Sequence, residues 1–201
     1  MTDKVIAQVP GFIIYRTTDS GPPVPYVPEA REESSNHGFM DLRDHPELVD
    51  AIPECMKSPG LADLIRALNE AGSLLMSIGC ECKMNDREPD DGNPFLRYFH
   101  SYTDLTFRDP ARHATEDQLV TLAKAMANSI QFEEEVPCSF ELGVQRMKHF
   151  FGGEGYNLSM GLSGFGSDEA ESRANYEKAA ALTAAMFRRL TAKEKLGASG
   201  L

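Results

Sequence analysis

The densest set of chemically useful side chains lies in FLRYFHSYTDLTF, residues 95–107, where Tyr98, His100 and Tyr102 recur at every second position. On a strand that spacing puts an imidazole between two phenols on one face, with Leu96 and Asp104 on the same side. Each phenol can hydrogen-bond a polar ligand while its ring supplies apolar contact, and an imidazole titrates near neutral pH. A nearby carboxylate would complete a set able to run general acid–base chemistry, with His100 as the titrating group. Glu81, on the strand expected alongside, is the candidate; Glu141 or Gln145 joins it if their strand runs close. The plainer reading is a face of ordinary cross-strand aromatic pairs with His100 hydrogen-bonded among them, and the sequence by itself favours that one.

A second stretch, GYNLSMGLSGFGSDEAESRANYEKAA at 155–180, runs glycines straight into a helical pattern. Such a junction binds phosphate when the helix N-terminus is left electropositive. Here Ser167 or Asp168 can cap it, and Asp168, Glu169 and Glu171 fill its first turn with negative charge. Gly161, Gly164 and Gly166 match neither nucleotide fingerprint. The stretch reads as a strand with Leu158, Met160 and Leu162 on one side, then a glycine turn and a self-capped helix. Its small side, Ser159, Gly161 and Ser163, allows close approach, so a ligand there is expected beside Ser159 and Ser163 and not at the helix tip.

Cys80 and Cys82 sit two apart, able to offer two thiolates to one soft ion. Neither Cys-x-x-Cys nor His-x-x-x-His spacing supplies the other ligands, so Cys80, Cys82 and Cys138 read as small hydrophobes of the core face. Asp86, Asp90, Asp91 and Asn93 lack the order of a calcium loop and read as a solvated hairpin loop. His37, Asp41, Asp44 and His45 form another cluster, but Asp44 and Pro46 are better explained as a helix start. Neither metal nor cofactor is assigned.

These residues need elements to hold them. KVIAQVPGFIIYR at 4–16 predicts one bent strand or an edge strand with a bulge, since Pro10-Gly11 interrupts it. Residues 17–43, with Pro22, Pro23, Pro25 and Pro28, predict an extended, Pro-rich and polar loop or arm, which could wrap the surface, reach towards a partner or be disordered. A short helix follows Asp44-His45-Pro46 and ends before Pro53; Ser58-Pro59 opens a second, with Leu61, Leu64, Ile65 and Leu68 on one face. SLLMSIGCECKM alternates, so Leu74, Met76, Ile78, Cys80, Cys82 and Met84 are expected on one face of a strand. Thr115-Glu116-Asp117-Gln118 has capping-box spacing before a helix striped by Leu119, Leu122, Ala123, Met126 and Ile130. VPCSFELGVQRM and YNLSMGLSGF supply two more strands, and a helix at about 168–192 buries Ala180, Leu182, Met186, Phe187 and Leu190 before a fraying tail at 197–201.

The expectation is one α+β domain spanning 1–201: a mainly antiparallel sheet of four to five strands with about three helices on one face. Helix–strand–strand occurs twice, and LADLIRAL resembles LVTLAKAM, a match any two amphipathic helices can produce. The 201 residues carry a net charge of −11, spread along the chain: residues 1–60 hold 5 Lys and Arg against 10 Asp and Glu. Such a surface repels nucleic acid and anionic membranes and attracts basic partners or cations. Without an apolar leader or an 18-residue apolar run, a cytoplasmic protein is expected, its cysteines reduced.

Two functions stand in view. The leading one is a non-enzymatic binding or regulatory protein that meets a protein partner through its acidic surface and the arm at 17–36. Its rival is a small-ligand pocket or enzyme on the sheet face, built from Tyr98, His100, Tyr102, Glu81, Ser159 and Ser163. Neither nucleic acid nor membrane is expected as a partner, and nothing in the sequence sets an oligomeric state.

Overall fold

A computed structural model describes residues 3–29, 37–86, 97–130 and 135–198. The Pro10-Gly11 interruption proves to be a hairpin turn, with Gly11 at φ 77°. It joins two strands, β1 (Lys4–Val9) and β2 (Phe12–Arg16), where one bent strand or an edge strand with a bulge was expected; β1 is the sheet's edge and its register shifts between Val5 and Ala7. Four longer strands follow: β3 (Leu75–Asp86), β4 (Arg97–Phe107), β5 (Cys138–Phe150) and β6 (Gly153–Gly166). They form one six-stranded sheet in the order β1-β2-β5-β6-β4-β3. The sheet is mixed, because β2 runs parallel to β5 while every other pairing is antiparallel. The α+β class therefore holds, with more strands than the four to five expected. The extra strand comes from the hairpin, and the parallel pair from the long path separating β2 and β5 in the chain.

The helices are α1 (Pro53–Lys57), α2 (Pro59–Asn69), α3 (Pro110–His113), α4 (Glu116–Ser129) and α5 (Glu169–Ala198), preceded by a 3-10 helix at Pro46–Ala51. Ser58 caps α2 as its position before proline predicts, its hydroxyl accepting from Leu61 N at 3.0 Å. Two other caps differ. Asp44 stands at φ 63°, paired with Arg108 at 2.7 Å, so His45 takes the cap position of the 3-10 helix without a side-chain bond. Thr115 stands at the cap of α4 but its side chain makes no cap bond, so the expected capping box is not made from that side, and Glu116 in the first turn pairs with Arg16 of β2. α5 runs past the expected 192 to Ala198, so 197–198 are helical and the rest of the expected tail, 199–201, lies outside the described residues. The acidic loop holding Asp90, Asp91 and Asn93 does too, as do Leu96 and residues 30–36 of the arm.

One face of the sheet is the main core. Phe99, Leu105, Phe140, Leu142, Val144, Leu158, Met160 and Leu162 are buried against α2, α4 and α5. α5 comes close enough to β6 that a Cβ on Gly164 would meet Ser172 O at 2.6 Å, so glycine there admits the helix backbone. Tyr176, fully buried, donates from its hydroxyl to Ser101 Oγ at 2.8 Å. The two helix–strand–strand units lie back to back, β3-β4 against β6-β5, with β4 and β6 antiparallel at the centre.

The alternation expected along β3 breaks midway. A register shift between Ser77 and Gly79 reverses the faces, so Cys80, Cys82 and Met84 join the helix side while Met76 and Ile78 turn to the opposite one. There Met76 and Ile78 form a second small core with Val24, Met147 and Phe150. Val24 comes from the Pro-rich segment, which is a strap across the sheet. Gly21 N–H donates to Arg146 O at 3.0 Å, Val24 N–H to His149 O at 2.7 Å, and Phe151 N–H to Val24 O at 2.7 Å. Tyr26 then reaches Ile78 O at 3.2 Å, and Phe39 N–H returns to Tyr26 O at 2.9 Å. Among the described residues no helix is long and apolar enough to cross a membrane.

Candidate functional site

Register across the strap-side face arranges its side chains in rows. Lys83, His100, Ser163 and Ser139 make one row; Glu81, Tyr102, Gly161 and Glu141 the next; Gly79, Asp104, Ser159, Gly143 and Tyr15 a third. Tyr98 stands beside Phe165, rings 6.0 Å apart, at the far end. The six residues singled out from sequence thus share one face.

They divide into two groups. His100 Nδ1 lies 2.9 Å from Ser163 Oγ, and its ring meets Tyr98 edge-on at 6.4 Å. Burial holds the His100 pKa below its ordinary value, against the opposing pull of Glu141 and Glu81. This end of the face matches the plainer reading, an imidazole hydrogen-bonded among aromatic neighbours.

The other group opens onto a cavity of about 840 Å³. Tyr102 and Glu81 line it, whereas Tyr98, His100, Ser159 and Ser163 lie outside its wall. Its floor includes Gly79 and Asp104, its roof Pro22, Pro23, Val24, Pro25 and Tyr26, and its side Ile52, Pro53, Glu54 and Ile65. The strap makes the roof, and the reversal in β3 makes the floor: without that shift Ile78 and Gly79 would present the other face. The volume lies within the roughly 300–1,000 Å³ range of small-molecule sites.

Asp104 is the chemical centre of this cavity. Burial pushes its carboxyl pKa up to about 6, although a hydrogen bond from Ser159 works in the opposite direction. Its Oδ1 is buried and meets no protein donor. One register step away, Asn157 is fully buried with both side-chain amide atoms likewise unpartnered by the protein. Tyr102, half-open to solvent, has its phenol pKa raised by burial first and then by Asp104 and Glu81. The Tyr26 phenol is raised by burial, then by Cys80, Asp104 and Glu54. Two protonated phenols therefore flank a carboxyl poised between its charged and neutral forms, able to accept or release a proton close to neutral pH.

Cys55, Cys80 and Cys82 gather at the junction of α1 and β3, while Cys138 begins β5. A hydrogen bond with Cys55, then burial, pushes the Cys80 thiol up; burial pushes Cys82 up to about 11. Cys82 Sγ donates to Glu54 O at 3.5 Å. Among the described residues no group of three or more His, Cys, Asp or Glu side chains is arranged to hold a metal ion. At the tip of α5, Glu171 N–H donates to Asp168 Oδ1 at 2.8 Å and Ser167 N–H to Glu171 at 2.7 Å, so the helix closes its own N-terminus.

Asp104, Tyr26 and Gly79 were not singled out from sequence. The signal for Asp104 was present, since it continues the Tyr98, His100, Tyr102 alternation into a strand whose flanking residues are apolar. Tyr26 and Gly79 carry no such signal, because their positions depend on the strap and on the register shift. Compared with protein-family models, curated proteins and solved structures, the chain matches none.

Proposed function

We propose that this protein binds a small organic molecule in the cavity between the strap and the β3–β4 floor, with Asp104 as its polar anchor. The observation that carries this reading is the Asp104 carboxyl, which lines a roomy cavity while its buried Oδ1 finds no protein partner. A carboxyl held by one protein donor, with its other oxygen buried and undonated, is costly, and a ligand donor is the natural complement to it. Apolar walls with few converging polar groups are the usual make-up of such sites.

The expectation of a protein partner drew on the acidic surface and on a projecting arm. Residues 21–26 are instead held on the protein's own sheet by backbone bonds and by Val24, so the geometry favours the cavity. A fragment screen read by amide chemical shifts tests the choice. Hits should move Gly79, Tyr102, Asp104 and Tyr26 together. Hits confined to other surfaces, or none from any chemical class, overturn the proposal.

A further inference from the structure

Resting on the reading of this cavity as a ligand site, we propose that its ligand is an organic cation: an amine or guanidinium carried on an apolar or aromatic body, its charge seated beside Asp104. Four carboxylates line the cavity, those of Glu29, Glu54, Glu81 and Asp104, and His37 is the one basic side chain among its described lining residues. An anionic ligand would enter a field dominated by negative charge, whereas a cation is drawn in, and the chain's net charge of −11 acts in the same sense at longer range.

The acidic lining alone would be compatible with any solvated negative surface. What points to a ligand is the Asp104 carboxyl, which lines the cavity with Oδ2 over Gly79 while its buried Oδ1 has no protein donor. The Tyr26 hydroxyl and Asp104 Oδ2 converge over Gly79, 3.2 and 3.9 Å from the point where a side chain would begin there. Tyr26 thus brings its phenol oxygen beside the carboxylate and Tyr102 lines the same cavity, and aromatic side chains beside a carboxylate are the residue types that hold amines and quaternary ammonium groups. Val24, Met40, Ile52 and Ile65 surround the remaining volume, which suits a hydrocarbon or aromatic body. A bare metal ion would need several oxygen ligands around one point, and no such group occurs among the described residues.

A proton and the ligand cation compete for the same carboxylate, so affinity should fall as the pH drops through about 6. The ionisable groups around Asp104 are Tyr102 on its own strand, Cys80 and Glu81 on β3, Tyr26 on the strap, Tyr15 on β2, Glu141 on β5 and Glu54 on α1, with Glu29 and His37 elsewhere on the cavity wall. The Cys80 thiol and the phenols of Tyr15, Tyr26 and Tyr102 are all shifted upward and stay protonated through that range.

Matched trios of fragments test the idea on the full chain by calorimetry: 2-phenylethylamine, 2-phenylethanol and phenylacetate, then tryptamine, tryptophol and indole-3-acetate. At pH 7.5 each amine should bind at least tenfold more tightly than its alcohol, and the carboxylate not at all. Asp104→Asn should remove that advantage while leaving the alcohol within twofold, and Tyr102→Leu should weaken the amine severalfold more than the alcohol. If Asp104→Asn does not fold, the Tyr102→Leu comparison and loss of amine affinity at pH 5 decide. Alcohols or carboxylates binding as well as amines, with shifts at Gly79 and Tyr102, would sink the cation while sparing the pocket. Amine preference kept by Asp104→Asn overturns the anchor, and no binding in any trio overturns both readings.

Discussion

Asp104 on β4 and Gly79 on β3 are register partners, and the Asp104 carboxylate leans across the bare backbone of Gly79 towards the Tyr26 hydroxyl. The gap between acid and phenol exists because residue 79 has no side chain. Gly79→Ala would put a Cβ 3.2 Å from that hydroxyl, a tight contact that the tip of a tyrosine can relieve by shifting slightly. In a strand the exchange also recovers about 0.5–1 kcal/mol of backbone entropy. Stability by urea denaturation should therefore change by less than about 1 kcal/mol, while fragment binding weakens severalfold; Gly79→Val should abolish binding and keep the fold. Unaltered binding in Gly79→Val would place the ligand elsewhere.

Asp104 should lower the stability of the empty protein. Its folded pKa lies near 6 against an ordinary 3.8, so between those values the native state holds a proton that the unfolded chain has released. Stability due to this group is present below about pH 4 and is lost as the pH rises through 6, on the order of 3 kcal/mol for a shift of about two units. Asp104→Asn removes that loss. The variant should be more stable than the parent at pH 7.5 by up to about 2–3 kcal/mol, with the difference vanishing near pH 4. Urea midpoints at four pH values measure it, and a parent–variant difference independent of pH would show the carboxyl to be solvated.

Periodic signals were legible and conditional ones were not. Leu158, Met160 and Leu162 alternate without interruption, and Leu119, Leu122, Ala123 and Met126 keep helical spacing; all seven are buried as their pattern predicts. The shared face of Tyr98, His100 and Tyr102 followed from spacing alone. The faces of Met76 and Ile78 did not, since one register shift reverses every side chain on one side of it and nothing in SLLMSIGCECKM marks the shift except Gly79. The strap was hidden for a different reason. Proline-rich chain has no periodicity to read, and Val24 looks like any exposed valine until Met147 and Phe150 are seen beneath it. The cavity needs both devices, so sequence reached the neighbourhood of the site but centred it on His100, four residues from Asp104.

The contact between β6 and α5 makes a prediction about the fold alone. Tyr176→Phe deletes one buried hydroxyl and leaves Ser101 Oγ, itself 1% exposed, without that donor. The cost should be about 1–2 kcal/mol. Gly164→Ala removes neither partner of that hydrogen bond yet should cost more, reaching or passing the ~3 kcal/mol end of overpacking effects. Its Cβ would meet helix backbone at Tyr176 N and Ser172 O, which cannot yield as a flexible side chain can. Urea unfolding of the two variants gives the order; Gly164→Ala as the milder change would mean that α5 stands farther from the sheet.

The strap should come away from the sheet without unfolding it. Its attachment rests on Val24 in the small core, 3% exposed, and on backbone bonds that include Gly21 N–H to Arg146 O and Phe151 N–H to Val24 O. Val24→Asp puts a charge where Met76, Ile78, Met147 and Phe150 meet, a substitution that burial cannot tolerate. The chain can escape the penalty by releasing the strap, so the loss to the rest of the protein is limited to the free energy of docking it. The main core lies on the opposite face of the sheet and keeps its packing. Hydrogen exchange should then show the Gly21 and Phe151 amides losing protection while those of Leu142 and Met160 keep most of theirs. Amine binding should disappear with the roof of the cavity. If the Leu142 and Met160 amides lose protection equally, strap and sheet form one cooperative unit, and Val24 is part of the fold's foundation and not only of its ligand site.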